Sequence, residues 1–157
     1  ERPFEIHLMT TGPSAWIEPF AEAGADVIIF CFDAVDAPGA VLDAIKARGL
    51  QAGVSLLLEE EIDLLDPYWE RLDVLCLLGT KAGIKGAEMD ETAPGRIRRA
   101  KAEIATRGLQ TVVEADGGIR RHTVPKLAEA GADFIVPGSL MFKEDPAEMR
   151  AWLASLR

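Results

Sequence analysis

Cysteine is scarce: the 157 residues contain two, Cys31 and Cys76, each inside an apolar run. That is too few for a disulfide framework, and neither belongs to a Cys-x-x-Cys or Cys/His cluster of the kind that holds structural zinc. Buried free thiols and a reducing, cytoplasmic setting are expected. Long hydrophobic runs are missing too. No stretch approaches the roughly 20 apolar residues that span a bilayer, and no signal-peptide pattern opens the sequence. Positive charge is in deficit: 17 Lys and Arg against 26 Asp and Glu give a net charge of −9. Such a field repels nucleic acid and anionic membranes, so neither is expected as a partner. A small anion is not excluded, because a local nest of backbone N–H groups binds phosphate against the global field. Aromatic residues make up 6% of the chain, and Trp16, Trp69 and Trp152 read as packing beneath helices rather than as a stacking platform.

What is present is ordinary for a globular protein: 48% apolar and 27% charged residues, in a chain long enough for one domain with a sizeable core. Strand-like and helix-like stretches alternate. Residues 4–9, 27–32, 52–58, 74–78, 111–115 and 133–137 read as strands, and 27–32 is apolar throughout, as a strand covered on both faces should be. Between them, Trp16, Ile17, Phe20 and Ala21 share one helix face, with Ser14 as its cap. Residues 38–47, 94–106, 124–130 and 145–156 predict further helices, and 59–71 an acidic helix interrupted at Pro67. Residues 79–92 form a long polar loop with three glycines in its first half.

The chain also repeats itself. Ala21-Glu22-Ala23-Gly24-Ala25-Asp26-Val27-Ile28 recurs as Ala128-Glu129-Ala130-Gly131-Ala132-Asp133-Phe134-Ile135, and Ala47-Arg48-Gly49-Leu50-Gln51 is echoed by Thr106-Arg107-Gly108-Leu109-Gln110. Each copy is a helix end, a glycine and a strand start. Strict strand–helix alternation with short joints implies a parallel sheet with helices outside. Equivalent units favour a closed eight-fold barrel over an open doubly wound sheet, because they arrange around an axis. Catalytic groups of such barrels lie at the C-terminal strand ends, and phosphate sits at the last two strand–helix turns. Those turns are Gly117-Gly118 and Gly138-Ser139. The stretch 113–119 (VEADGGI) carries an acid, Asp116, from a buried strand into a Gly-Gly turn, which presents one charge at the mouth of a pocket.

His7-Leu8-Met9, Ala23-Gly24-Ala25-Asp26, Gly83-x-x-Gly86, Glu114-x-Asp116-Gly117-Gly118-Ile119, and Ala130-Gly131-Ala132-Asp133 leading to Gly138-Ser139 occur in an order and spacing that are specific together. On these motifs the chain resembles the ribulose-phosphate 3-epimerase family, a phosphate-binding (β/α)8 TIM barrel. The resemblance implies that residues 1–157 form a partial barrel domain of about six β/α units, the third to the eighth. It implies a divalent metal (zinc, iron, manganese or cobalt) with His7 and Asp116 among its ligands, and Asp116 as an acid/base catalyst. Met9 would pack beside the reacting centre. Gly83, Gly86, Gly117, Gly118, Gly138 and Ser139 would bind phosphate, with Lys85 as a further contact. The ligand would be a small phosphorylated sugar, a ketose resembling ribulose 5-phosphate, and the assembly a homo-oligomer. The residue types suit that chemistry. Moving a proton beside a carbonyl builds an enediolate that a cation stabilises, and inversion needs an acid and a base on opposite faces.

Several positions depart from the family pattern. The family's other metal histidine, other catalytic aspartate and a site serine belong to two earlier strands, so an N-terminal part or another chain is expected to complete the barrel. His7 and Asp116 alone are not expected to hold metal tightly. Cys31 stands where the family has a site histidine, Leu57-Leu58 replaces a polar-then-proline pair, and Gly79-Thr80-Lys81 replaces Thr-Val-x. Lys85 replaces a loop glycine. These changes point to a divergent subgroup with a different ketose phosphate, or to a non-catalytic sugar-phosphate-binding barrel. A phosphate-barrel lyase, decarboxylase or aldolase is disfavoured, because no lysine ends a strand. Arg120, Arg121 and His122 read as surface residues, and Cys31 as a small filler.

Overall fold

The computed structural model describes residues 2–84, 86–143 and 145–156, the side chains of Ser139 and Lys143 excepted. Six strands pair in parallel in sequence order: β1 (Glu5–Leu8), β2 (Val27–Cys31), β3 (Gln51–Leu56), β4 (Val74–Leu78), β5 (Val112–Asp116) and β6 (Phe134–Val136). The helices α1 (Ser14–Glu22), α2 (Pro38–Ala47), α3 (Ala93–Arg107) and α4 (Val124–Ala130) connect them, and α5 (Ser139–Lys143) and α6 (Pro146–Ala154) follow β6. This is the expected α/β architecture of about six barrel units. Among the described residues no helix is long and apolar enough to cross a membrane.

The sheet curls. β1 and β5 are four strand spacings apart, about 19 Å across a flat sheet. Yet donor atoms of His7 on β1 and Asp116 on β5 lie within 4.8 Å of each other. Only strong curvature achieves that, so one face becomes the inside of a barrel wall. Outward residues such as Ile28, Phe30, Leu75, Leu77, Val113 and Ala115 pack with Leu42, Ile45, Ile97 and Leu127 of the helices. Inward residues Val27, Ile29, Val74, Cys76 and Leu78 make a second, smaller cluster. β2 and β4 are buried at every position, as a strand covered on both faces requires. Each such Ile, Leu or Phe contributes about 1.5–3 kcal/mol by leaving water.

The repeated Gly-Ala-Asp joints have a shared physical role. Asp26 Oδ2 accepts the Phe4 N–H at 2.7 Å, and Asp133 Oδ2 accepts the Val113 N–H at 2.8 Å. Asp73, outside the sequence repeat, does the same to the Ala52 N–H at 2.8 Å. Each aspartate also donates its own N–H to the same residue's carbonyl. The side-chain clamps tie β1 to β2, β3 to β4 and β5 to β6, and the Asp26 and Asp73 carbonyls, accepting from the Gln51 and Val112 N–H groups at 2.9 Å, carry the rim on to β3 and β5.

Some expectations are corrected. Residues 59–71 hold no α-helix but two 3-10 turns, Ile62–Leu65 and Trp69–Arg71. Pro67 has no N–H to continue a helix, and the buried pair Ile62 and Leu65 matches a three-residue turn. Ser14 does not cap α1: Pro13 already has helical dihedrals at the cap position, and Ser14 is the first helical residue. The last helix starts later than expected, at Pro146, because Asp145 caps it by accepting from the Ala147 and Glu148 N–H groups, and the short α5 precedes it. Trp16 is 47% exposed, leaning on Phe20, whereas Trp69 is buried as expected.

Candidate active site

Strand register assembles the site. Side chains alternate between faces, and parallel partners share a face. Ile29 and Cys76 point inward. His7 pairs with Ile29, Cys31 pairs with Ser55, Ser55 with Cys76, Cys76 with Glu114, and Leu78 with Asp116. Two-residue steps therefore place Glu5, His7, Cys31, Ser55, Cys76, Glu114 and Asp116 on the inner face. A wall that is apolar lower down becomes polar toward the C-terminal mouth.

Three of these groups converge. One ring nitrogen of His7, the Cys76 sulfur and a carboxylate oxygen of Asp116 all lie within 4.8 Å of one another. His7 Nε2 is 2.9 Å from Ser55 Oγ, which pins the ring. Burial holds the His7 pKa below its ordinary value, with Asp116 pulling the other way. The imidazole is therefore neutral at pH 7, with a lone pair to offer. Burial, reinforced by Asp116 and Glu114, pushes the Cys76 thiol up. Glu114 is driven up to about 8 by burial, then by Glu5 and Asp116. Its Oε2 is buried without a hydrogen-bond partner. Nitrogen, sulfur and carboxylate oxygen together form a donor set that fits zinc, cobalt or iron, and magnesium poorly.

Two hollows open beside this cluster and share Thr80, Ile84, Asp116 and Gly117. The first, about 170 Å³, is completed by Gly86, Gly118, Arg120, Pro137 and Gly138. The second, about 280 Å³, is completed by Met9, Leu78, Lys81 and Gly83. The Gly117-Gly118 turn has a packing reason of its own. Both residues have positive φ, and a Cβ on Gly118 would lie 2.5 Å from the Met89 backbone. A Cβ on Gly117 would lie 2.5 Å from Thr80 Oγ1. The glycines thus let the 79–92 loop fold over the end of β5, where the Gly79 N–H bonds the Asp116 carbonyl at 2.7 Å.

The structure brings His7 and Asp116 together, and places Gly86, Gly117, Gly118 and Gly138 around one cavity. Met9 and Gly83 line the neighbouring hollow instead. Lys85 and the Ser139 side chain lie outside the described residues. Arg120, read from sequence as a surface residue, lines the first cavity, its Nη1 donating to the Ile119 carbonyl at 2.9 Å. Arg121 is exposed, its guanidinium 4.8 Å from the Trp152 ring centroid, and His122 is exposed opposite Glu88. Sequence reasoning missed Cys76, Ser55 and Glu114. Their two-residue spacing from Val74, Gly53 and Val112 was visible, but not which parity faced inward.

With this geometry in place, similarity to known proteins becomes informative. A model of the ribulose-phosphate 3 epimerase family matches residues 1–142. A ribulose-phosphate 3-epimerase of Mycobacterium tuberculosis is 34% identical over 160 aligned positions, covering 99% of this chain and 67% of that protein. One from Chlamydia muridarum is 33% identical over 148, covering 93% and 65% respectively. The chain spans about two thirds of the length of the curated relatives it matches. In fold it is similar to the tryptophan synthase α-subunit of Pyrococcus furiosus, with TM-score 0.67 and 20% identity, over 98% of this chain and 63% of that one. It is also similar to the orotidine 5'-phosphate decarboxylase of Pyrococcus horikoshii OT3, with TM-score 0.62 and 18% identity, over 98% and 72%.

Proposed function

Because the chain belongs to the ribulose-phosphate 3-epimerase family, we propose that it acts in the epimerisation of a phosphorylated ketose at C3, with ribulose 5-phosphate as the first substrate to test. The observation that carries this reading is the position of Asp116. It stands between a cavity lined by Gly86, Gly117, Gly118 and Gly138 and a second hollow, with His7 at its side.

The chain's residues divide the work. The phosphate enters the cavity of Gly86, Gly117, Gly118 and Gly138, where backbone N–H groups and the Arg120 guanidinium offset its charge. That anchoring sets the sugar carbons over Asp116, converting a chance encounter into a fixed approach. The Asp116 carboxylate takes the C3 proton from one face of the ketose, or returns it there in the reverse direction. Inversion needs a second proton carrier on the opposite face, and Asp116 is this chain's half of that relay. Met9 and Ile84 supply an apolar wall to the hollow that would receive the sugar. Neutral His7, pinned by Ser55, and Asp116 would hold a divalent cation. Such an ion, when bound, supplies Lewis-acid stabilisation of the charge on the enediolate oxygens.

The test is turnover of ribulose 5-phosphate to its C3 epimer. Asp116→Asn keeps the shape and removes the base, so kcat should fall by about 10²–10⁴-fold with KM changed far less. Equal kcat in the variant and the parent would overturn the assignment.

A further inference from the structure

The family pattern takes two metal ligands from this chain, His7 and Asp116. The structure sets a third donor beside them. We propose that Cys76 is a thiolate ligand of the same centre, which makes it a nitrogen–sulfur–oxygen site that prefers zinc or cobalt to manganese or magnesium. This inference rests on the metal-assisted reading above and adds to it a ligand and a selectivity.

Cys76 occupies the centre of β4, one strand from Asp116 and across the curled wall from His7. Its sulfur is fully buried, yet it lies within 4.8 Å of both other donor atoms. Ligand atoms around a tetrahedral zinc are separated by about 3.3–3.7 Å, so closure takes side-chain shifts of about an ångström, within the reach of small χ adjustments. Ser55 Oγ, 2.9 Å from His7 Nε2, restrains the orientation of the ring. Charge balances as well. A thiolate and a carboxylate neutralise a divalent cation, and the imidazole adds none. Without a cation, burial and the neighbouring carboxylates keep the thiol protonated. On binding, the thiol proton leaves to solvent as the sulfur–metal bond forms, with no redox change. A soft sulfur donor then favours borderline cations over hard ones. Val74, Ile29 and Leu78 pack around Cys76, and an inert filler would satisfy them equally; coordination is what distinguishes the two roles.

Cobalt(II) reads out the sulfur directly. The metal-free protein is titrated with Co²⁺, and near-ultraviolet thiolate-to-cobalt charge-transfer absorption is followed. The proposal expects that band in the parent and in Cys31→Ser, since Cys76 is then the one thiol left in the sequence. Cys76→Ser should lose the band and hold Co²⁺ more weakly than the parent, and its preference for Zn²⁺ over Mn²⁺ should drop by about tenfold or more. Co²⁺ bound by the parent without the band overturns the Cys76 ligand while leaving the His7/Asp116 metal reading standing. A band lost in Cys31→Ser assigns the sulfur to Cys31 and also overturns it. No Co²⁺ binding to the parent overturns both.

Discussion

Replacing Glu114 by glutamine should stabilise the metal-free protein at pH 8 and leave it nearly unchanged at pH 5. Glu114 is 6% exposed on the inner wall, beside Glu5 and Asp116, with one oxygen unpartnered. In the folded protein its carboxyl holds its proton up to about pH 8. In the unfolded chain a glutamate releases it near pH 4.3, by reference values of about that size. Between those values the folded state binds more protons than the unfolded state. Stability from this group is therefore fully present below about pH 4.3 and is lost as pH rises toward about 8, at a limiting slope of about 1.4 kcal/mol per pH unit. Integrated over the window the slope gives an upper bound of about 5 kcal/mol. Glu5 is exposed, and water reaching the pair screens the repulsion, so about 1–3 kcal/mol is the working figure. Glutamine is isosteric, carries no charge, and offers an amide N–H to Glu5. The assay is urea unfolding of both proteins at pH 5 and pH 8 with a chelator present, comparing midpoints at constant m-value. A glutamine variant whose advantage is the same at both pH values would show that Glu114 does not hold its proton in the folded protein, because the titration of Glu114 is what makes the difference pH-dependent.

Gly118→Ala should cost about 2–4 kcal/mol in chemical denaturation, since alanine is strained at positive φ and its methyl meets the Met89 backbone. Asp133→Ala removes the acceptor for the Val113 N–H and should lower stability by about 1–3 kcal/mol in the same assay, the exposed Lys101 pair adding little. Arg96→Met strips the three carbonyls of Leu57, Glu60 and Leu78 of their guanidinium donor; a loss of about 2–4 kcal/mol by thermal or urea melts is expected. Arg120→Ala should raise KM for a ketose phosphate and the inhibition constant of inorganic phosphate roughly tenfold while changing kcat little.

The alternation of strands and helices is legible because its signals are local: doubly buried runs such as 27–31 and glycines at the helix ends, Gly24, Gly49, Gly108 and Gly131. The presentation of Asp116 was legible for the same reason, an apolar strand running into Gly-Gly. What escaped depends on the third dimension. VLCLL reads as uniform filler until the register shows that Val74, Cys76 and Leu78 share the inner face. Even then, the approach of Cys76 to His7 exists only because the sheet curls. Glu114 is visible in the sequence as part of a motif, but its unpartnered oxygen follows from its burial beside Glu5. The apolar spacing of 59–71 suits a helix, but Pro67 interrupts it and the buried Ile62 and Leu65 fit a three-residue turn. Arg120 escaped because a basic residue after a Gly-Gly turn looks solvated until β6 and the 79–92 loop close around it.

The role proposed for Asp116 is to move a proton at C3 of a phosphorylated ketose. The most direct measurement is wash-in of solvent deuterium at C3 of ribulose 5-phosphate, followed by NMR in D₂O with the parent protein and Asp116→Asn. Deuterium is expected at C3 of substrate or epimer with the parent, with a loss of at least about a hundredfold in the exchange rate with the variant. Exchange at an undiminished rate in Asp116→Asn, or exchange at another carbon alone, would contradict it.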